Sequence, residues 1–176
     1  DDEMHTYADS NWAGCKYTRK STSGALILLF GCAIFASAWT QCVRALSSAE
    51  AELYAIGSAV AESLHIRSFL LEAKLCKKLL IKVYTDSSSA KSIAMTYGTR
   101  RNTRHIELRY LYMQDLCHAG IIKLLKIPGV NNPADIMTKF VSLQVLSKNL
   151  HRFGIIRMKD ESTVVGSRKV KHTTSL

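Results

Sequence analysis

Four carboxylates in this sequence stand where a chain can do chemistry with them. Asp9 closes a short β-prone run, His5-Thr6-Tyr7-Ala8-Asp9, and Asp86 follows a second apolar run from Leu79 to Thr85. Ligands of α/β sheets gather at the carboxyl ends of strands, so two such acids on parallel neighbouring strands fall within reach of one ion. Glu52 lies in the opening turns of a long helical pattern, and Asp135 in the first turn of a later one. A set of oxygen donors with no soft ligand among them suits Mg2+ or Mn2+ and not zinc. Two such cations ~3.5–4 Å apart clamp both the attacking water and the leaving oxygen of a phosphodiester. Four acids supply enough negative charge to hold two divalent ions beside a polyanion.

Each acid alone has a plainer reading. Asp135 would occupy the third helical position, where the helix macrodipole favours any carboxylate. Asp9 and Asp86 are residues that also open turns. Glu50 is accounted for by a capping box with Ser47, the S-x-x-E spacing, whereas Glu52 lies past the cap and has no such local duty. Glu52 is therefore the candidate site acid of the two.

The elements that must position these acids are legible as patterns. After the first strand comes a polar, basic stretch with Lys16, Arg19 and Lys20, then Ser21 to Gly24, which reads as a hairpin loop. Ala25 to Phe30 and Ala33 to Trp39 read as strands about a turn at Gly31. Ser47 caps a helix whose apolar stripe runs through Leu53, Ile56, Val60 and Leu64 toward Leu71 and Leu75. Leu79 to Thr85 is a strand, and Ser87 caps a short helix to about Met95. Thr103 to His118 reads as a helix and Ile121 to Ile127 as a strand, with Asn132-Pro133 as the start of the last helix. The order β-β-β-α-β-α-α-β-α implies a mixed sheet with helices on both faces.

The charge balance agrees with a polyanionic partner. Lys and Arg number 24 against 14 Asp and Glu, a formal net charge of +10, which favours phosphate contacts and counterion release. The loop residues Lys16, Arg19 and Lys20 and the cluster Arg100, Arg101, Arg104 and Arg109 are the candidate backbone contacts. Ser21 and Ser23 are candidates for a phosphate or 2′-hydroxyl, although such residues more often satisfy a turn. His105, Trp12 and Trp39 read as anchoring or packing residues. Five cysteines with no C-x-x-C spacing argue against a disulfide framework or thiolate zinc site and for reduced, intracellular thiols. No apolar run approaches the ~18 residues of a membrane span, so no membrane partner is expected. The acidic start is unlike a signal peptide, and the absence of an initial Met reads as a piece of a longer chain.

Five ordered blocks carry a resemblance. Tyr7-Ala8-Asp9-Ser10-Asn11-Trp12-Ala13-Gly14-Cys15 with Thr18-Arg19-Lys20-Ser21-Thr22-Ser23-Gly24 closely resembles the opening of ribonuclease H domains of Ty1/Copia-type retrotransposon Pol polyproteins. Ala45-Leu46-Ser47-Ser48-Ala49-Glu50-Ala51-Glu52, Val83-Tyr84-Thr85-Asp86-Ser87, Thr103-Arg104-His105-Ile106-Glu107-Leu108-Arg109-Tyr110 and Ala134-Asp135-Ile136-Met137-Thr138-Lys139 resemble the later blocks. The resemblance implies a ribonuclease H fold, a five-stranded mixed sheet in order 3-2-1-4-5 with flanking helices, over residues 1–140. Residues 141–176 would be a basic extension, partly disordered. It implies Asp9, Glu52, Asp86 and Asp135 as catalytic metal ligands for two Mg2+, with Mn2+ able to substitute. Lys16, Arg19, Lys20, Ser21, Ser23, Ser87, Arg101 and Arg104 are then expected on the substrate side. The implied activity is endonucleolytic hydrolysis of the RNA strand of RNA–DNA hybrids. The reverse transcriptase domain of the same polyprotein is the implied partner, in a cytoplasmic virus-like particle or the nucleus.

Departures from the family pattern are specific. Ser87 and Ser88 stand where relatives usually carry Asn and Gln, Leu111 where a His is usual, and Ala36 where a Trp is common. Pro128-Gly129-Val130-Asn131 contains no counterpart of the mobile His of the cellular enzymes. The alternative is a decayed or co-opted domain that binds nucleic acid without cutting it. A transposase or integrase of the same fold fits the block pattern less well.

Overall fold

The computed structural model describes residues 2–95 and 107–152. Alternating half-buried and buried residues give β1 (Asp2–Asn11), and β2 (Thr22–Leu29) pairs with it antiparallel, Asp9 opposite Gly24. β2 begins at Thr22, so Ser23 and Gly24 belong to the strand and not to the preceding loop as expected. Phe30 and Gly31, both at positive φ, make the two-residue turn into β3 (Cys32–Thr40). Such mirror-image turns match the twist of the paired strands, which is why Phe30 is in the turn and not in the strand. β3 pairs antiparallel with β2 as an edge strand.

Helix α1 (Ser48–Glu72) starts at Ser47, whose hydroxyl accepts from Glu50 N at 3.2 Å. The Glu50 carboxylate accepts from Leu46 N at 2.8 Å, so Glu50 is spent on the cap as expected. The buried stripe Leu53, Ile56 and Val60 packs on the sheet, and Thr6 on β1 is joined to Ser63 on α1 by a buried hydrogen bond of 2.7 Å.

β4 (Leu79–Thr85) runs parallel to β1, and β5 (Ile122–Lys126) parallel to β4. Between them lie α2 (Ser88–Met95), capped by the Ser87 hydroxyl on Ala90 N, and α3 (Glu107–His118). The sheet order is β3-β2-β1-β4-β5, as the family resemblance implies. Beyond β5 come a single 3-10 turn (Gly129–Asn131), the short α4 (Asp135–Thr138) and α5 (Leu143–Arg152).

Beyond β5, two further boundaries differ from expectation. Asn132 does not begin a regular helix; its Oδ1 accepts from Ala134 N at 3.2 Å while its Nδ2 donates to Ala8 O at 2.9 Å, and α4 starts at Asp135. Asp135 is thus at the first helical position, not the third. α5 lies within residues 141–176, the segment expected as a basic, partly disordered extension. The start of the expected Thr103–His118 helix and the tail beyond Arg152 lie outside the described residues. Among the described residues no helix is long and apolar enough to cross a membrane.

Candidate active site

The two central strands bring the first two acids together. Tyr7 on β1 stands opposite Tyr84 on β4, and two residues further along each chain are Asp9 and Asp86. α4 packs over β1 and β2 and brings Asp135 to the same place. That approach depends on Gly24, because a Cβ there would meet Met137 Cβ and Thr138 Cγ2 at 2.8 Å and Ala134 O at 3.1 Å. One carboxylate oxygen from each of Asp9, Asp86 and Asp135 lies within 4.8 Å of the other two. Three of the four expected ligands therefore form one cluster.

Glu52, on α1, stands near the cluster, where the Asp9 and Asp86 charges act on it, but is not one of its three members. Ser10 donates to its Oε1 through N at 3.1 Å and Oγ at 2.8 Å, which ties the helix to the strand residue next to Asp9. Its other oxygen, Oε2, is buried without a hydrogen-bond partner. Burial is the main reason the Glu52 carboxyl is pushed up to about 8, and the Asp9 and Asp86 charges add to it against the pull of Ser10. Asp9, 1% exposed, is pushed up to about 6, again by burial first; Asp135 and Asp86 raise it further, while Thr138 and Lys139 oppose. A carboxylate oxygen that is buried and unpartnered is costly to ionise. A hard divalent cation relieves that cost and the mutual repulsion together, so this all-oxygen set fits one.

α4 and its C-cap contribute two groups that the sequence reading left without a role. Thr138 Oγ1 donates to Asp9 Oδ2, and Lys139 Nζ lies 2.9 Å from Asp135 Oδ1 and 3.4 Å from Asp9 Oδ2. Burial works against the Lys139 charge, yet the two aspartates outweigh it and hold its pKa above the ordinary value. The signal was present as a Lys four residues after Asp135, an ordinary helix ion pair; nothing in the spacing showed that it also reaches β1. Gly129 was likewise missed: a Cβ there would stand 2.9 Å from Asp86 Oδ2.

The expected substrate residues divide. Lys16 and Arg19 are exposed on the β1–β2 loop and Lys20 partly so, with Tyr17 at the tip 98% exposed between them. Ser21 and Ser23 are fully buried: Ser21 Oγ accepts from Ala13 N at 3.0 Å and Ser23 Oγ from Gln41 Nε2 at 2.8 Å. Their hydroxyls serve the turn and the sheet, and neither reaches a surface where substrate can lie. Ser87 is half-buried as the α2 cap. Arg100, Arg101, Arg104 and His105 lie outside the described residues. Trp12, expected to pack, is 48% exposed and is held through Nε1, which donates to Ala45 O at 3.0 Å.

A five-stranded 3-2-1-4-5 sheet with acids at the ends of its central parallel strands defines the ribonuclease H fold class. LC11-RNase H1 isolated from compost superposes with a TM-score of 0.59 at 14% identity, over 85% of this chain and 99% of that one. The same enzyme in complex with an RNA/DNA hybrid gives 0.54 at 13% identity, over 76% and 92%. The N-terminal RNase H domain of Rv2228c from Mycobacterium tuberculosis gives 0.57 at 12% identity, over 86% and 98%. By sequence, the Pol polyprotein of transposon TNT 1-94 from Nicotiana tabacum is 36% identical over 135 residues, 77% of this chain and 10% of that protein. The Pol polyprotein of transposon RE1 from Arabidopsis thaliana is 24% identical over 155 residues, 88% of this chain and 11% of that protein. No family model matches the chain. The chain spans about a tenth of the length of these polyproteins and fits the ribonuclease H domain of a Ty1/Copia-type Pol polyprotein.

Proposed function

We propose that the chain hydrolyses the RNA strand of RNA–DNA hybrids in a reaction that depends on divalent metal. The observation that carries this reading is the convergence of Asp9, Asp86 and Asp135 within 4.8 Å at the ends of the central parallel strands, with the buried Glu52 beside them. Asp9 and Asp86 would hold metal most centrally, with Glu52 and Asp135 completing the two ends of the set. Bound there, a pair of Mg2+ or Mn2+ ions would supply Lewis-acid stabilisation of phosphoryl charge and a more acidic attacking water.

The chain's own residues do the rest. Ser10 fixes Glu52 Oε1, which leaves Oε2 as the free donor atom. Thr138 orients Asp9, and Gly129 leaves room for the Asp86 carboxylate. Lys16, Arg19 and Lys20 offer cations to the hybrid's phosphates near the same end of the sheet. The hybrid seen with LC11-RNase H1 supports the substrate class, and the retrovirus-related Pol polyproteins among the relatives support a reverse transcriptase domain of the same polyprotein as the partner.

The test is cleavage of a hybrid labelled on each strand in turn, with Mg2+ or EDTA, by the wild type and by Asp9→Asn. RNA-strand cutting with Mg2+ only, and its loss by at least ~100-fold in Asp9→Asn, is the expected result. Undiminished cutting by Asp9→Asn would mean that the site is elsewhere. Hybrid binding without any cutting would favour the decayed or co-opted domain.

A further inference from the structure

Lys139 is the residue that ends α4, and its ammonium spans two of the clustered acids. It lies 2.9 Å from Asp135 Oδ1, 3.4 Å from Asp9 Oδ2 and 3.5 Å from Asp9 Oδ1. The Asp135 contact alone would be an ordinary i,i+4 pair on a helix surface, worth little. The reach to Asp9 is different in kind, because Asp9 sits on another element and is 1% exposed. The Lys139 side chain is 44% exposed, so it can swing into solvent, whereas Asp9 cannot move to meet a ligand elsewhere.

A single positive charge thus neutralises part of a cluster in which Asp9 is buried and Asp86 and Asp135 are half-buried. A divalent ion held by Asp9 must share the two oxygens that Lys139 faces, and one on Asp135 would lie beside the oxygen that Lys139 already contacts; two cations a few ångströms apart repel strongly where water is partly excluded. The ammonium and the ion are therefore alternatives on these oxygens.

We propose that Lys139 is a built-in counter-cation that competes with divalent metal for Asp9 and Asp135, holding them in place without metal and lowering the affinity for it. This rests on the metal-dependent reading of the site and adds Lys139 to it as a positioning residue. Removing the charge should tighten metal binding and weaken the metal-free protein. Keeping the charge on a longer side chain should preserve both properties.

Mn2+ titrated calorimetrically into the full chain, without nucleic acid, tests this with wild type, Lys139→Gln, Lys139→Arg and Asp9→Asn. The expected result is roughly tenfold tighter binding by Lys139→Gln, a lower Tm in EDTA and a larger rise in Tm on adding Mn2+. Lys139→Arg should stay near wild type in all three. Equal or weaker binding by Lys139→Gln, with binding by the wild type still abolished in Asp9→Asn, overturns the competition and leaves the metal reading standing. A Tm lowered equally with and without Mn2+ likewise overturns it, since a purely structural lysine would act so. If no variant binds Mn2+, the metal reading falls and the competition with it.

Discussion

Glu52 is the residue at which burial and ionisation are most directly opposed. Its folded pKa of about 8 stands above the ordinary 4.5, so the folded state binds the proton more tightly than the unfolded chain does. Below the ordinary value both states are protonated and the site costs nothing. As pH rises from there through the folded value, stability is lost, on the order of 4 kcal/mol for this group alone. Asp9, at about 6 against 3.8, adds a smaller loss of the same sign at lower pH. Thermal melts in EDTA should therefore fall between pH 5 and pH 8, and Glu52→Gln should flatten the fall. A wild-type Tm that is level across that window would show that the buried carboxyl is compensated after all. At this scale the acids were legible, because hard ligands at element ends form a pattern along the chain. Lys139 and Ser10 were not, since their significance is a contact across the fold: Ser10 beside Asp9 reads as any strand-end serine until α1 is docked against it.

Among the elements, the strands and α1 were readable from alternation, apolar stripes and the Ser47 cap, while the elements around the site were less so. α4 has four residues, too few for any periodicity, and its place is fixed by tertiary contacts. α5 carried a helical spacing of Leu143, Leu146 and Leu150 with Ser142 at its start, but its basic surroundings led to its being read as a weakened tail. Two glycines show how differently the elements about the acids are held. An alanine at Gly24 would strike Met137 Cβ and Ala134 O, so α4 itself must move, which should cost about 1–3 kcal/mol as overpacking does. An alanine at Gly129 would meet chiefly the tip of Asp86, a side chain that can rotate away. Gly24→Ala should thus lower the Tm in EDTA by several degrees, whereas Gly129→Ala should keep the Tm and weaken Mn2+ binding. Equal losses of Tm in both variants would contradict this division between a packing glycine and a site glycine.

On the scale of the whole molecule, the surplus of +10 predicts a partner but does not say where it lies. The described surface places Lys16, Tyr17 and Arg19 together on one exposed loop at the active-site end of β1. The sequence showed the charges there but also drew Ser21 and Ser23 into the same contact, because burial within a turn cannot be read from residue type. If the loop lies along the hybrid's backbone, its cations displace condensed counterions and the log of affinity falls with the log of salt. Hybrid binding measured by fluorescence anisotropy in EDTA, where cutting is suppressed, should show such a slope. Replacing Lys16 and Arg19 together by alanine should weaken binding and reduce the slope by about two, one per lost phosphate contact. Tyr17→Ala should weaken binding while leaving the slope alone, since an aromatic side chain contributes stacking or packing but no counterion release. A double variant with the wild-type slope would move the hybrid off this loop and onto another basic face of the molecule, and the proposed path of the substrate across the acids would have to be redrawn.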